Sequence, residues 1–197
     1  MPVILLLDVM DTLVYDPFHE EVPALFGLTL PELLAQKTPD TWQRFETGDY
    51  DEETFAARYF ADGRALDLAA FRETLRRAYR FLPGVEALLE ELRAAGVAMH
   101  ALSNYPPWYR LIEEELRLSR FLEWSFVSCD TGVRKPDPRA YTGPAERLGV
   151  APGECLFVDD RERNVAGAKA VGMDGHRFLG AEDLRAALVA RGLLEDA

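Results

Sequence analysis

Cysteine is almost missing from this chain of 197 residues: Cys129 and Cys155 are the two present. That is too few for a disulfide framework, and with His19, His100 and His176 they show no metal-ligand spacing. Both cysteines read as core packing, and His100, inside an apolar run, as a hydrogen-bonded core histidine. No apolar stretch reaches the roughly 20 residues a transmembrane helix requires. The opening "MPVILLL" has no basic lead and is cut by Asp8, which is not the pattern of a secretory signal; a cytoplasmic, reducing setting is expected. Positive charge is in deficit, with a net charge of -12. The electrostatic term that draws proteins to nucleic acid or anionic membranes is then repulsive, so neither is an expected partner. There is no glycine-rich phosphate cradle, which excludes P-loop nucleotide hydrolysis. Side-chain amides are confined to Gln36, Gln43, Asn104 and Asn164, a scarcity shared by thermophile proteins and by products of Ala/Leu/Arg-biased genomes. Internal repeats and low-complexity segments are absent.

What the chain does have is a series of short apolar runs. "VILLLDVMDTLV" (3–14) drives five apolar residues into Asp8, the pattern of a strand buried on both faces. "VAMHAL" (97–102), "SFVSC" (125–129) and "CLFVD" (155–159) read the same way, with "GHRFL" (175–179) as a short fifth. Helical patterns alternate with them: 84–96, ended by Gly96; 138–149, made irregular by Gly143 and Pro144; and 163–172, ended by Gly172. The alternation predicts an α/β fold, a Rossmann-like parallel sheet flanked by helices. Residues 15–82 break it with consecutive helical patterns, so we expect residues 1–14 and 83–197 to form the α/β core and 15–82 a small helical domain. "GDYDEE" lacks the spacing of a calcium loop and reads as a helix start.

Four polar features fall at the carboxyl ends of the main runs: Asp8, Ser103 with Asn104, Lys135, and Asp159 with Asp160. Any one of them is an ordinary turn former or helix cap. Parallel strands, however, gather their carboxyl ends in one crevice, where open α/β sheets bind ligands. Three carboxylates would then crowd one lysine. Two like charges about 4 Å apart cost roughly 4 kcal/mol at an effective dielectric near 20, so the cluster calls for a cation or a shared proton. Hard oxygens with room for water and phosphate suit Mg²⁺.

The set Asp8-x-x-x-Thr12, Ser103 after a strand, Lys135-Pro-Asp-Pro138, and Asp159-Asp160-x-x-x-Asn164-x-x-Gly167-Ala168 with Gly172-Met173 beyond resembles the haloacid dehalogenase superfamily over essentially the whole chain. The helical insertion stands where one cap type of that family stands. The resemblance implies a Mg²⁺-dependent hydrolase, in most members a phosphatase, acting on a small anionic metabolite. It implies Asp8 as nucleophile through an aspartyl-phosphate, Ser103 and Lys135 as catalytic phosphate holders, and Thr12 and Asn104 beside the phosphate. Asp8, the Met10 carbonyl, Asp159 and Asp160 would hold the metal, and Asn164 would brace the acidic loop.

One residue departs from that pattern. Family phosphatases carry Asp two positions after the nucleophile, where this chain has Met10. The missing Asp protonates the leaving alcohol and deprotonates water, and a thioether does neither. Asp11 is one register step away. It either takes over the proton transfer from a loop or bonds nearby backbone amides, as Asp does in turns. Three functions follow as expectations: a phosphatase, confined by Met10 to good leaving groups such as acyl or aryl phosphates; a low-activity metal- or phosphate-binding regulatory protein; and a 2-haloacid dehalogenase, which needs no acid but also no metal. His19, Trp42, Arg44, Arg58, Tyr59 and Arg64 are candidate substrate selectors or plain packing, and Tyr105 and Trp108 candidate crevice walls. Trp42, Phe45, Tyr59 and Phe60 line either a dimer face or the insertion's own core, leaving monomer and homodimer both open.

Overall fold

The computed structural model describes residues 3–196; residues 1, 2 and 197, the outermost positions of the expected core domain, lie outside the described residues. Five parallel strands form one sheet: β1 (Ile4–Leu7), β2 (Met99–Ser103), β3 (Glu123–Val127), β4 (Cys155–Asp159) and β5 (Asp174–Arg177), in the order β3-β2-β1-β4-β5. β1 is central, with Leu7 paired to Ala101 of β2 on one side and to Val158 of β4 on the other. The strand order reverses between β1 and β4. A crevice opens outside the carboxyl ends at such a switch, and Asp8 and Asp159 stand at this one.

The unbroken Leu5-Leu6-Leu7 run has the reason expected of it. All three are fully buried, but alternate side chains enter different cores. Leu5 and Leu7 join the larger cluster with α6 (Val85–Ala94), α7 (Tyr109–Leu116) and α11 (Ala181–Ala190). Leu6 joins Phe157, Tyr141 and Ala168 on the other face, under α9 (Arg139–Leu148) and α10 (Glu162–Ala170). Gly167 of α10 is required by this packing: a Cβ there would lie 2.9 Å from the Tyr141 hydroxyl, which donates to the Asn164 carbonyl at 2.8 Å.

The structure is more regular than expected in one place and less in another. α9 runs through Pro144 despite the missing N–H, because Ala140, Tyr141, Pro144 and Ala145 form one buried stripe. The run "SFVSC" stops being strand at Val127, and Ser128–Thr131 make a short helix, α8. There Ser128 donates to the Glu46 carbonyl and accepts the Tyr105 N–H. His100 bonds Ser125 at 2.8 Å, the role expected of a core histidine. Among the described residues no helix is long and apolar enough to cross a membrane.

Between β1 and α6 lie five helices: α1 (Glu21–Leu25), α2 (Leu30–Gln36), α3 (Thr41–Glu46), α4 (Glu52–Arg58) and α5 (Leu68–Ala78). Asp51 caps α4 by accepting the Thr54 N–H at 2.7 Å, and Asp67 caps α5 through Ala70. "GDYDEE" is therefore a capped helix start. Phe45 and Phe55 stack at 4.6 Å with Tyr59, Phe71 and Trp108 packed edge-on or tilted around them. Phe45, Tyr59 and Phe60 are buried in this insertion. The chain leaves and returns at one spot, where Tyr15 N–H bonds Arg80 and Leu82 N–H bonds Leu13. The insertion is tied to the sheet by Trp108 donating to Glu52 at 2.5 Å and by Arg134 on buried Glu46.

Candidate active site

β1 ends at Leu7 and the chain turns at once. The N–H groups of Thr12, Leu13 and Val14 all close on the Val9 carbonyl, and Asp11 N–H closes on Val14. These bonds leave the Met10 carbonyl without a backbone partner among the described residues. Asp8, at the mouth of the turn, is nine-tenths buried, and Lys135 reaches it from the loop after β3. The Lys135 ammonium spends its three donors at 2.7 Å each, on Asp8 Oδ1, Asp159 Oδ2 and the Leu102 carbonyl. Burial works against that charge, but the two carboxylates outweigh it and raise the Lys135 pKa. Burial pushes the Asp8 carboxyl up, Asp159 adds to the rise, and Lys135 opposes it.

The remaining motif residues hold these three in place. Asn104 clamps Lys135 at two points, accepting its N–H at 2.8 Å and donating to its carbonyl at 2.9 Å. Asn164 donates to both oxygens of Asp159 at 3.0 Å, and Arg161 N–H also bonds that carboxylate, at 2.8 Å. Thr12, fully buried, lies 3.5 Å from Asp8 Oδ2 and accepts the Asp160 N–H at 3.2 Å. Burial, with Asp159 next in effect, raises Asp160 to about 6. The Ser103 hydroxyl, at the end of β2, is buried and has no hydrogen-bond partner among the described residues, though Ser103 does not line the cavity above the cluster.

Asp8, Asp159 and Asp160 each offer an oxygen within 4.8 Å of the others. One lysine does not neutralise three carboxylates, and the donors are all hard oxygens, so Asp8, Asp159 and Asp160 fit a magnesium ion. Asp11 is placed differently. It has left-handed backbone (φ 56°), accepts Asp16 N–H at 3.3 Å and lies 3.7 Å from His19.

Above the cluster is a cavity of about 300 Å³ between sheet and insertion, the lower end of ligand-pocket sizes. Asp8, Met10, Asn104, Tyr105, Lys135 and Asn164 line it from the core, but Asp11 does not. Of the expected selectors only Trp42 faces it. Arg44 is engaged by Asp40, Arg64 by Asp62 and Gln36, and Tyr59 is buried inside the insertion. Trp108, an expected wall, packs against the insertion instead. Lining residues that escaped the sequence reading include the charged Asp16, Lys37, Glu46, Arg134, Arg161 and Arg163. Asp16 bonds Phe18 N–H at 2.9 Å through one carboxyl oxygen. Burial raises its pKa, against the Phe18 bond.

The model of the haloacid dehalogenase-like hydrolases matches residues 5–172. Flavin mononucleotide hydrolase 1 of Arabidopsis thaliana, a chloroplast protein, is 48% identical over 181 residues, 92% of this chain and 74% of its own. A sesquiterpene phosphatase of Aspergillus oryzae is 32% identical over 146 residues, covering 69% of this chain and 71% of its own. Among solved structures, an Asp-to-Ala variant of a HAD family enzyme of Bacteroides thetaiotaomicron, in complex with magnesium and inorganic phosphate, has the same fold, with a TM-score of 0.72 at 18% identity over 90% of this chain and 94% of that one. Site, sheet order and sequence agree: the chain is a hydrolase that belongs to the haloacid dehalogenase-like family.

Proposed function

We propose that this hydrolase is a magnesium-dependent phosphatase working through an aspartyl-phosphate on Asp8, with flavin mononucleotide the substrate to test first. The observation that carries the reading is the buried Asp8–Lys135–Asp159 bridge at the carboxyl ends of β1 and β4. The identity to a flavin mononucleotide hydrolase adds the substrate. Asp8, Asp159, Asp160 and the Met10 carbonyl would hold Mg²⁺, which when bound offsets the charge of phosphoryl group and carboxylates.

In this reading Lys135 keeps Asp8 ionised and aimed, Ser103 donates to a phosphoryl oxygen, and Asn104, Thr12 and Asn164 position their neighbours. Asp8 attacks phosphorus and the bond to the leaving oxygen breaks. Flavin mononucleotide is an alkyl phosphate, so the leaving oxygen needs a proton. Met10 has none to give. Asp16 lines the same cavity, keeps one carboxyl oxygen free of the Phe18 bond and is biased by burial toward its protonated form; it would protonate the leaving alcohol, then take the proton of the water that releases phosphate from Asp8. Asp11, engaged with the Asp16 N–H and His19, is the second candidate. With an acid at hand, substrates need not be confined to acyl and aryl phosphates. A metal-free dehalogenase has no use for the Asp159–Asp160 pair. The cytoplasmic setting remains part of the proposal, since Cys129 and Cys155 are both free.

The test is phosphate release from flavin mononucleotide with Mg²⁺ and with EDTA, for the wild type and Asp8→Asn. Mg²⁺-dependent release, abolished by the substitution, is the expected result. Release that survives either change overturns the mechanism.

A further inference from the structure

The insertion side of the cavity contains a second buried lysine. Arginine supplies all of the 22 basic residues except Lys37, Lys135 and Lys169, and two of those lysines line this cavity. Lys37 follows α2 and is 8% exposed. Its ammonium reaches two backbone carbonyls, of Thr38 and Pro39, each at 3.4 Å. That is long beside the roughly 2.7–2.9 Å of a charge-assisted bond. Asp40, whose charge acts on it, is engaged by Arg44 at 2.9 Å. A buried ammonium with poorly filled donors destabilises a fold. It becomes intelligible where a ligand completes its bonding.

The position is also preorganised. Lys37 N–H bonds Leu33 at 2.9 Å, Thr38 N–H bonds Tyr59 at 2.8 Å, and Lys37 bridges Phe60. The apolar part of the cavity lining is Phe18, Leu34, Pro39 and Trp42, all from the insertion side. Trp42 is fixed by edge contacts with Phe45, Phe55, Tyr105 and Trp108 at 5.8–6.4 Å. Leu34 is 49% exposed, large apolar surface left open at the cavity. A flat ring with hydrogen-bond acceptors on its edge gains from walls and ammonium together.

Resting on the phosphatase reading above, we propose that Lys37 is a specificity residue of a leaving-group subsite, where a flat heterocycle lies among Phe18, Leu34, Pro39 and Trp42 and a ring carbonyl or ring nitrogen accepts a hydrogen bond from its ammonium. The isoalloxazine ring, with carbonyls and bare nitrogens along one edge, is of this class.

The test compares the wild type, Lys37→Met and Lys37→Arg on flavin mononucleotide and on acetyl phosphate, which is too short to span the cavity. Binding of riboflavin, the ring without the phosphate, is followed by flavin fluorescence. Lys37→Met is expected to lower the ratio of kcat/KM for flavin mononucleotide over acetyl phosphate about tenfold, the worth of one hydrogen bond to a charged group. The loss falls in KM rather than kcat, riboflavin binding weakens in proportion, and Lys37→Arg recovers part of both. An unchanged ratio in Lys37→Met overturns the subsite and leaves the phosphatase reading standing. So does a wild type that hydrolyses acetyl phosphate but neither hydrolyses flavin mononucleotide nor binds riboflavin. Lys37-dependent riboflavin binding without phosphate release from either substrate overturns the phosphatase reading and keeps the subsite. No release and no binding overturns both.

Discussion

The two lysines of the cavity are both buried and are bonded in contrasting ways. On the core side Lys135 has every donor filled at 2.7 Å, two of them by carboxylates. On the insertion side Lys37 has two long bonds to carbonyls and no carboxylate of its own. The first arrangement is finished before any substrate arrives, as chemistry common to many substrates requires. The second is unfinished, as recognition of one leaving group requires. The backbone N–H of each is bonded, Lys37 to Leu33 and Lys135 to Asn104, so the contrast is in side-chain bonding.

The contrast can be broken most sharply at the core side. Asp8→Asn is expected to abolish phosphate release by at least about 10⁴-fold, as removal of a nucleophile does, with the circular dichroism spectrum unchanged. Lys135→Met leaves Asp8 and Asp159 facing each other without a cation. It should destabilise the fold by about 3–5 kcal/mol in urea unfolding, and Mg²⁺ should restore part of that. A stability equal to wild type without metal would mean that Lys135 is not the counterion described above.

Asp16 lines the same cavity as both lysines. Asp16→Asn should lower kcat on flavin mononucleotide about 10²-fold and leave acetyl phosphate, whose leaving acetate needs no proton, far less affected; Asp11→Asn showing that split instead would move the acid to Asp11. The sign of the pH effect follows. Burial raises the Asp16 pKa, so its proton is present below that value, and the rate on flavin mononucleotide falls as pH rises through it. The smallest effect belongs to the insertion surface. Leu34→Ser should change stability by no more than about 0.5 kcal/mol while raising KM for flavin mononucleotide a few-fold; no change in KM would remove Leu34 from the subsite.

The core side was legible because its signal is local. A run such as Leu5-Leu6-Leu7 followed by Asp8 states both strand and position, and the spacing of Asp159, Asn164 and Gly167 places a carboxylate, its brace and a close helix contact within about two turns. The insertion side was not. His19, Trp42, Arg44, Arg58, Tyr59 and Arg64 look alike as selectors in one dimension, and the packing of α2, α3 and α4 decides that Trp42 faces the cavity while Tyr59 is core and Arg44 engages Asp40. One signal was present and unread: in a chain that uses arginine almost throughout, the isolated Lys37 and Lys135 mark two sites of the same cavity.

The sequence by itself determined the parallel sheet, the helical insertion and the gathering of Asp8, Ser103, Lys135, Asp159 and Asp160 at strand ends, because side-chain period and strand direction are properties of short segments. The tertiary structure alone decided that Asp11 turns to Asp16 and His19, that Asp16 joins the cavity, and that Lys37 lines it with two long bonds to its ammonium. The last two outcomes depend on the insertion and the sheet, far apart in the chain, closing on one cavity, and no local pattern specifies that.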